Sequence, residues 1–275
     1  MSDVRTWVDG VEGNAVPADD RGLQYGDGVF ETILVRNGIP RFLALHRERL
    51  RRGLTQLGIQ FLASRELEDD IARASATAPP LAILKIIVTR GSARRGYAPP
   101  EKVVARRIVS LWPTTPLSTD IIENGVILNV ARLRLPQPSP FAGLKHLNRL
   151  ENVMAATDGP GGAIFDALML DTSERLVSGT SSNVFLVKGG EIVTPRVDRV
   201  GVTGVMRQVV LREALRLGIA AREQDLVLDD LKSADGMFIT NARIGVVPVQ
   251  RVREHSFRMT DIASRLRTAI EALDA

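Results

Sequence analysis

Cysteine is missing from the 275 residues of this chain, and histidine is scarce. Without cysteine the protein has no disulfide, no thiolate metal ligand and no cysteine nucleophile. The three histidines, His46, His146 and His255, have no metal-ligand spacing, so we expect no metal site. The N-terminus lacks the apolar core of a signal peptide. The longest apolar stretch, 81–88, is too short to span a membrane and contains Lys85.

Lysine is also scarce, although the formal net charge is +4. Only five of the 36 basic residues are lysine, and the other 31 are arginines scattered among acidic residues. Aromatic residues make up only 4% of the chain, whereas a nucleic-acid surface usually combines a clustered basic face with aromatic rings. The sequence therefore predicts a globular protein of the cytoplasm, with no nucleic-acid or membrane partner.

Helix and strand patterns follow one another in mixed order along the chain. They predict helices over 43–57, 64–74, 147–156, 205–217 and 260–273, and strands over 29–36, 81–90, 103–111, 126–133, 163–170 and 183–187. The segment 112–120, rich in proline and hydroxyl side chains, is the candidate domain boundary. Several strands for each helix favour an α+β fold over a strictly alternating doubly wound fold.

Two features are suited to binding a phosphate group. The segment 201–205 (GVTGV) opens a well-patterned helix, with Thr203 as the expected N-cap and glycines that let an anion approach free backbone N–H groups. Arg49 flanks the apolar stripe of its helix, where a guanidinium can make a two-pronged phosphate contact. Taken singly, a capped helix after a turn and an ordinary surface arginine are the better explanations of these two features.

Two lysines are candidates for a nucleophilic amine, which must be partly desolvated to be neutral often enough to attack. Lys85 interrupts an apolar strand that we expect to be buried on both faces, and Lys145 lies where a proline-rich loop meets a helix. The residues alone leave the choice open, since either could be a lysine whose ammonium reaches solvent. Lys102, Lys188 and Lys232 lie beside charges or glycines, and we expect them to be solvated.

Six segments together resemble the fold-type IV pyridoxal-phosphate (PLP) enzymes, the family that includes D-amino-acid transaminase, branched-chain transaminase and 4-amino-4-deoxychorismate lyase. They are DDRGLQYGDGVFET (19–32), LHRERL (45–50), VTRGSARRGY (88–97), GLKHLNRLENV (143–153), SSNVFLV (181–187) and GVTGVMR (201–207). Their order and spacing fit over nearly the whole chain. Within the family, 145–151 and 95–97 are most similar to the lyases.

The resemblance implies a role for each matching position. The implied cofactor-binding residues are Arg49, Lys145, Ser178, Thr203, Gly204, Val205, Thr240 and Asn241. Lys145 matches the family's catalytic lysine, which holds PLP as a Schiff base, and Arg49 matches its phosphate-binding arginine. The segment 203–205 matches the helix start around the phosphate, and 240–241 falls in the segment that closes the phosphate side.

One position departs from the family pattern. A glutamate that pairs with the pyridine nitrogen of PLP usually precedes the SSNVF run, and Ser178 stands there in this chain. Serine has no negative charge to keep that nitrogen protonated, so we expect a weaker electron sink. Glu174 is the nearest carboxylate in sequence, and we expect it to lie in a turn.

The resemblance further implies two α+β domains, 1–115 and 122–275, with PLP in the cleft between them and a homodimer as the assembly. The implied small-molecule reaction converts 4-amino-4-deoxychorismate to 4-aminobenzoate and pyruvate, a step of folate synthesis. Two alternatives remain: a D-amino-acid or branched-chain aminotransferase with the same lysine, and a non-catalytic PLP-binding protein.

Overall fold

The computed structural model describes residues 4–158 and 164–274. The chain divides into unit 1, Met1–Pro116 with Leu144–Asn148, and unit 2, Leu117–Gly143 with Arg149–Ala275.

The segment Leu144–Asn148 counts with unit 1 because it pairs with a strand of that unit. Phe30 N donates to Lys145 O, and Leu147 N donates to Gly28 O, both at 3.0 Å. The limits drawn from the sequence, 1–115 and 122–275, differ from this division chiefly in that segment.

Unit 1 is a six-stranded antiparallel sheet with three helices. Its elements are β1 (Arg5–Val8), β2 (Val11–Glu12), α1 (Arg21–Tyr25), β3 (Gly28–Arg36), β4 (Ile39–Pro40), α2 (Leu43–Gln56), α3 (Ser64–Ala76), β5 (Leu81–Thr89) and β6 (Arg106–Pro113). The strand order is β2-β1-β6-β5-β3-β4. The β3–β4 turn uses Asn37 and Gly38, both with positive φ, which is the backbone that an Asn-Gly hairpin turn requires.

One face of this sheet packs on α2 and α3, and the residues that do so alternate along the strands. Leu84, Ile86 and Val88 of β5 lie in a buried cluster with Leu50 and other helix residues. The residues between them are only half-buried. The expectation that the strand containing Lys85 is buried on both faces is therefore wrong, since period-two alternation buries one face only.

Unit 2 is built on a ten-stranded mixed sheet. Its elements are α4 (Thr119–Asn124), β7 (Val126–Leu135), α5 (Leu150–Ala156), β8 (Ile164–Asp171), β9 (Arg175–Gly179), β10 (Asn183–Lys188), β11 (Glu191–Pro195), α6 (Val205–Arg216), β12 (Ala221–Gln224), β13 (Leu226–Val227), β14 (Gly236–Asn241), β15 (Gly245–Val252), β16 (His255–Ser256) and α7 (Asp261–Glu271), with short 3-10 helices at Leu228–Ser233 and Ala272–Asp274. The strand order is β12-β11-β10-β14-β15-β7-β8-β9-β13, and β16 pairs with β15.

The mixed order of elements confirms the α+β prediction. The helix expected over 147–156 begins only at Leu150, because the residues before it pair with β3. The strand expected over 163–170 spans Ile164–Asp171, and residue 163 lies outside the described residues. Within 4–158 and 164–274, no helix is both long and apolar enough to cross a membrane.

Candidate active site

Lys145 of unit 1 lies against an aromatic ring. Its Nζ is 4.1 Å from the ring centroid of Phe30, and Lys85 Nζ is 5.6 Å from the same centroid. The backbone bond from Phe30 N to Lys145 O fixes the segment beside β3. An ammonium over a ring face is stabilised by the ring quadrupole. Both lysines singled out in the sequence therefore contact one side chain.

A buried ion-pair cluster lies on the other side of β3. Arg49 donates from Nε to Oε1 of Glu31 at 2.8 Å and from Nη2 to Oε2 at 2.5 Å. His46 Nδ1 lies 2.6 Å from the same Oε2. Glu31 is 1% exposed and Arg49 is 7% exposed, so the two-pronged contact is shielded from water and fixes the guanidinium. Arg47, Arg51 and Arg52 of the same helix are exposed.

The protonation states of this cluster follow from burial and charge. Burial alone would raise the pKa of Glu31, but the hydrogen bonds and charge of Arg49 and the bond with His46 bring that pKa below its ordinary value. Burial lowers the pKa of His46, and the bond to Glu31 offsets this only in part. The positive charges of Arg49 and Lys145 lower the pKa of His46 further. At neutral pH His46 is neutral, and its Nδ1–H donates to the ionised Glu31.

The start of α6 in unit 2 is the predicted phosphate-binding segment. The N-cap is Gly204, not Thr203 as predicted, and no side chain caps the helix. Thr203 lies just before the helix, and its N–H already donates a hydrogen bond to Gly143 O at 3.1 Å. The first N–H groups of Val205 and the residues after it thus have no capping side chain, the arrangement that accepts an anion.

Gly204 is required by a close approach. A Cβ built on it would lie 2.0 Å from Asn183 Oδ1, and the Asn183 side chain is held by its own bond from Nδ2 to Val202 O at 3.0 Å. Any larger residue would push Asn183 away and open the turn. The segment fits a phosphate because its helix start has no capping side chain. A Cβ at position 204 would disturb that arrangement.

The loop between β9 and β10 is held by a buried aspartate and by one of the predicted residues of unit 2. Asp166 is buried and accepts bonds from Thr180 and from Ser182 Oγ at 2.9 Å. Asn241 Nδ2 donates to Ser181 O at 3.1 Å. Thr240 is fully buried and donates to Gly245 O at 2.6 Å, which closes the β14–β15 turn.

Ser178 lies on β9, at the position before the last residue of that strand. It is opposite Met169 in the strand register, and its hydroxyl donates to Gly179 O at 2.8 Å. Glu174 lies in the β8–β9 turn with a positive φ, as expected, and forms an ion pair with Arg134. Glu174 thus pairs with Arg134 and does not supply the carboxylate that position 178 lacks.

Sequence reasoning missed the residues that hold the predicted ones in place. Glu31 and His46 orient Arg49, Phe30 contacts Lys145, and Asn183 packs against the α6 start. A signal for Glu31 was present, since an acidic residue interrupts the apolar run of β3. Its partners lie 15 and 18 residues away, on a helix whose orientation the local pattern does not give.

Comparison with known proteins places this geometry in a family. The family model "Amino-transferase class IV" matches residues 28–252. The chain belongs to that family. The class IV family depends on PLP, and its fold is the fold-type IV architecture expected from the resemblance.

Individual class IV relatives are similar over most of their length. An aminodeoxychorismate lyase of Vibrio harveyi is 35% identical over 250 residues, covering 90% of each chain. A crystal structure of 4-amino-4-deoxychorismate lyase from Pseudomonas aeruginosa is 37% identical with a TM-score of 0.91, covering 97% of this chain and 98% of that one. A putative branched-chain-amino-acid aminotransferase of Methanocaldococcus jannaschii is 33% identical over 233 residues, covering 84% of this chain and 80% of that one.

Proposed function

We propose that this chain is an aminodeoxychorismate lyase, which converts 4-amino-4-deoxychorismate to 4-aminobenzoate and pyruvate in folate synthesis. The observation that carries the proposal is the placement of Lys145, a half-buried lysine whose amine lies on the ring of Phe30 in β3. The similarity to two lyases at 35% and 37% identity supports the choice of this reaction within the family.

The residues proposed to hold PLP are those of the two clusters described above. Arg49, fixed by Glu31, and the uncapped segment 203–205 would bind the phosphate, while Thr240 and Asn241 keep the neighbouring turn closed. Ser178 would lie at the pyridine nitrogen without forming an ion pair. When bound, the cofactor supplies the electron sink that stabilises a carbanion next to the substrate amine.

Lys145 would serve as both attachment point and base. Each task needs a neutral amine, and partial burial of the kind seen at Lys145 favours the neutral form of a lysine. With the cofactor in place, Lys145 Nζ would take the proton from the amine-bearing carbon of the substrate. The enolpyruvyl group would then leave as enolpyruvate, which takes up a proton to become pyruvate. The ring left behind is aromatic, and this drives the reaction forward.

The serine at 178 is easier to reconcile with a lyase than with a transaminase. A transaminase must stabilise carbanionic species in both directions and gains no aromatic product. The lyase needs one deprotonation followed by an elimination, so a weaker electron sink is more tolerable. A branched-chain or D-amino-acid aminotransferase remains the second candidate, favoured by the 33% identity to the Methanocaldococcus jannaschii protein. A non-catalytic PLP-binding protein is the third.

The test is an assay of the purified PLP-loaded protein on aminodeoxychorismate. We expect 4-aminobenzoate and pyruvate in equal amounts, with no keto-acid co-substrate. A transaminase would instead require a keto acid and show ping-pong kinetics. Efficient transamination of D-alanine or leucine, with no action on aminodeoxychorismate, would replace the lyase with the transaminase. No turnover of any amine would favour the binding protein.

We also propose that the chain acts as a homodimer in the cytoplasm. The helix α5 supports the dimer, because Leu150, Val153 and Met154 share one helix face and are 70%, 61% and 53% exposed. An apolar face of this kind marks an interaction surface. Light scattering coupled to size-exclusion chromatography should give about twice the 30.0 kDa chain mass, and cell fractionation tests the location.

A further inference from the structure

The sheet face of unit 1 opposite α2 and α3 carries a line of polar side chains. In the antiparallel register, Thr32 is opposite Lys85, Lys85 is opposite Ser110, and Ser110 is opposite Thr6. Directly opposed residues point to the same face of a sheet. These four residues therefore form one row across β3, β5, β6 and β1, and we call it the polar row.

The cation of the polar row has no carboxylate partner within 4–158 and 164–274. Lys85 is half-buried, and its ammonium contacts the ring of Phe30. The buried and half-buried carboxylates of the same unit pair instead with arginines: Glu31 with Arg49, Asp27 with Arg90, Asp20 with Arg106 and Asp70 with Arg107. A partly desolvated ammonium without a counter-ion is a site for an anion.

The hydroxyl groups of the row add hydrogen-bond donors beside that cation. Thr6 Oγ1 donates to Ser110 Oγ at 3.1 Å. Because a hydroxyl both donates and accepts, Ser110 keeps its own O–H to donate. Lys85 brings an ammonium with three donors, and Thr32 brings a further hydroxyl on the adjacent strand. An ammonium flanked by hydroxyl groups suits a carboxylate, whose two oxygens only accept.

The polar row lies within reach of the reactive lysine. Lys145 Nζ and Lys85 Nζ lie 4.1 and 5.6 Å from one ring centroid, so they are within about 10 Å of each other. That limit leaves room for a molecule that carries an amine at Lys145 and a carboxylate at Lys85 on well-separated atoms. An α-amino acid carries both on neighbouring atoms, whereas a six-membered ring can hold them at opposite carbons.

We propose that Lys85, with Ser110 and Thr32, binds the ring carboxylate of a cyclic substrate whose amine, on the opposite ring carbon, reacts at Lys145. This inference rests on the proposed lyase function and assigns it a specificity determinant. Lys85 then selects ring amino acids over α-amino acids. The Lys85 ammonium also attracts an anionic substrate.

The experiment measures a stable carboxylate probe as well as the reaction. The variants are Lys85→Met, Lys85→Arg and Ser110→Ala in the PLP-loaded protein, and Lys102→Met, an exposed lysine of the same unit, is the control. Binding of 4-hydroxybenzoate, which has the ring carboxylate but no amine, is measured by calorimetry. KM and kcat for aminodeoxychorismate, the cofactor absorption spectrum and the thermal midpoint are measured in parallel.

We expect Lys85→Met to weaken 4-hydroxybenzoate binding and raise KM by about 10–100-fold, the loss of one charge-assisted contact. In that variant kcat should change much less, and the cofactor spectrum should stay that of the parent. Lys85→Arg should recover most of the affinity, and Lys102→Met should behave as the parent. Ser110→Ala should give a smaller loss of 4-hydroxybenzoate affinity and a smaller rise in KM. If Lys85→Met does not fold, Ser110→Ala provides the test.

Unchanged 4-hydroxybenzoate affinity in Lys85→Met, or in Ser110→Ala if it stands alone, would overturn the inference. So would a loss confined to kcat or to the cofactor spectrum, since that would make Lys85 part of the cofactor site. Failure of the lyase proposal is seen separately, as a parent enzyme that forms no 4-aminobenzoate. Probe binding that depends on Lys85 would then still support the carboxylate site.

Discussion

Arg49 and Glu31 form a two-pronged ion pair inside unit 1, with Nε–Oε1 and Nη2–Oε2 distances of 2.8 and 2.5 Å. The pair joins α2 to β3 and is almost fully buried. An arginine held in this way cannot swing out to solvent, so its guanidinium keeps one orientation whether or not an anion is present. Such preorganisation lowers the cost of binding a phosphate.

Replacing Arg49 tests the proposed phosphate contact. Arg49→Ala should weaken PLP binding by about 10–100-fold, as expected for the loss of a charge-assisted contact of roughly 1.5–3 kcal/mol. Titration of the cofactor-free protein with PLP, followed by absorbance, measures the affinity. Arg51→Ala, at an exposed position of the same helix, is the matched control. Equal affinity in the two variants would remove Arg49 from the site.

Chemical labelling tests the attachment of the cofactor to Lys145. The purified protein should be yellow, and borohydride reduction should fix the cofactor to the peptide containing Lys145, identified by mass spectrometry. Lys145→Ala should carry no label and show no turnover. Lys85→Ala, whose ammonium contacts the same Phe30 ring, is the matched control and should still be labelled. A label found on Lys85 instead would refute the assignment.

The serine at 178 predicts a cofactor ring nitrogen with no ion-pair partner. Ser178→Glu should place a carboxylate there and raise the pKa of the bound cofactor's ring nitrogen by about 1–3 units, the usual effect of a close opposite charge. Absorption spectra of the loaded protein across pH measure that pKa. Ser178→Gln, which has the same length without the charge, controls for bulk. An equal change of that pKa in Ser178→Glu and Ser178→Gln would contradict the charge argument.

The protonation state of His46 predicts how stability depends on pH. Burial holds the pKa of His46 below its ordinary value, so the folded protein keeps it neutral, whereas the unfolded chain takes up a proton near pH 6.5. The unfolded state thus binds more protons in mildly acidic solution. The contribution of neutral His46 to the free energy of unfolding is therefore present in full above about pH 6.5 and is lost as the pH falls. Glu31, whose pKa is also lowered, adds a further loss below about pH 4.3.

Thermal unfolding between about pH 7.5 and 5 measures this effect. The midpoint should fall with pH in the parent protein and fall less steeply in His46→Gln, which cannot titrate. His255→Gln, at a partly exposed histidine, should keep the parent slope. The same slope in all three proteins would show that His46 does not contribute.

The local sequence pattern was sufficient to predict most of the long helices and strands. The helix predicted over 205–217 is α6, Val205–Arg216, and the strand predicted over 29–36 is β3, Gly28–Arg36. Those segments have a clear period and strong end signals. The short strands β1, β2, β4, β12, β13 and β16 were missed, because two to four residues are too few to show a period. The longer strands β9, β11, β14 and β15 were missed as well.

The sequence by itself determined the family, the fold class and the helix start at 201–205, because motif order and local periodicity are properties of the chain. It left Lys85 and Lys145 equal on physical grounds, and only the resemblance separated them. Tertiary structure decided that both lysines contact Phe30, that Glu31 and His46 orient Arg49, and that Lys85 belongs to a polar row. These contacts join residues 15 or more positions apart across strands and helices, and local pattern carries no information on which distant residues meet.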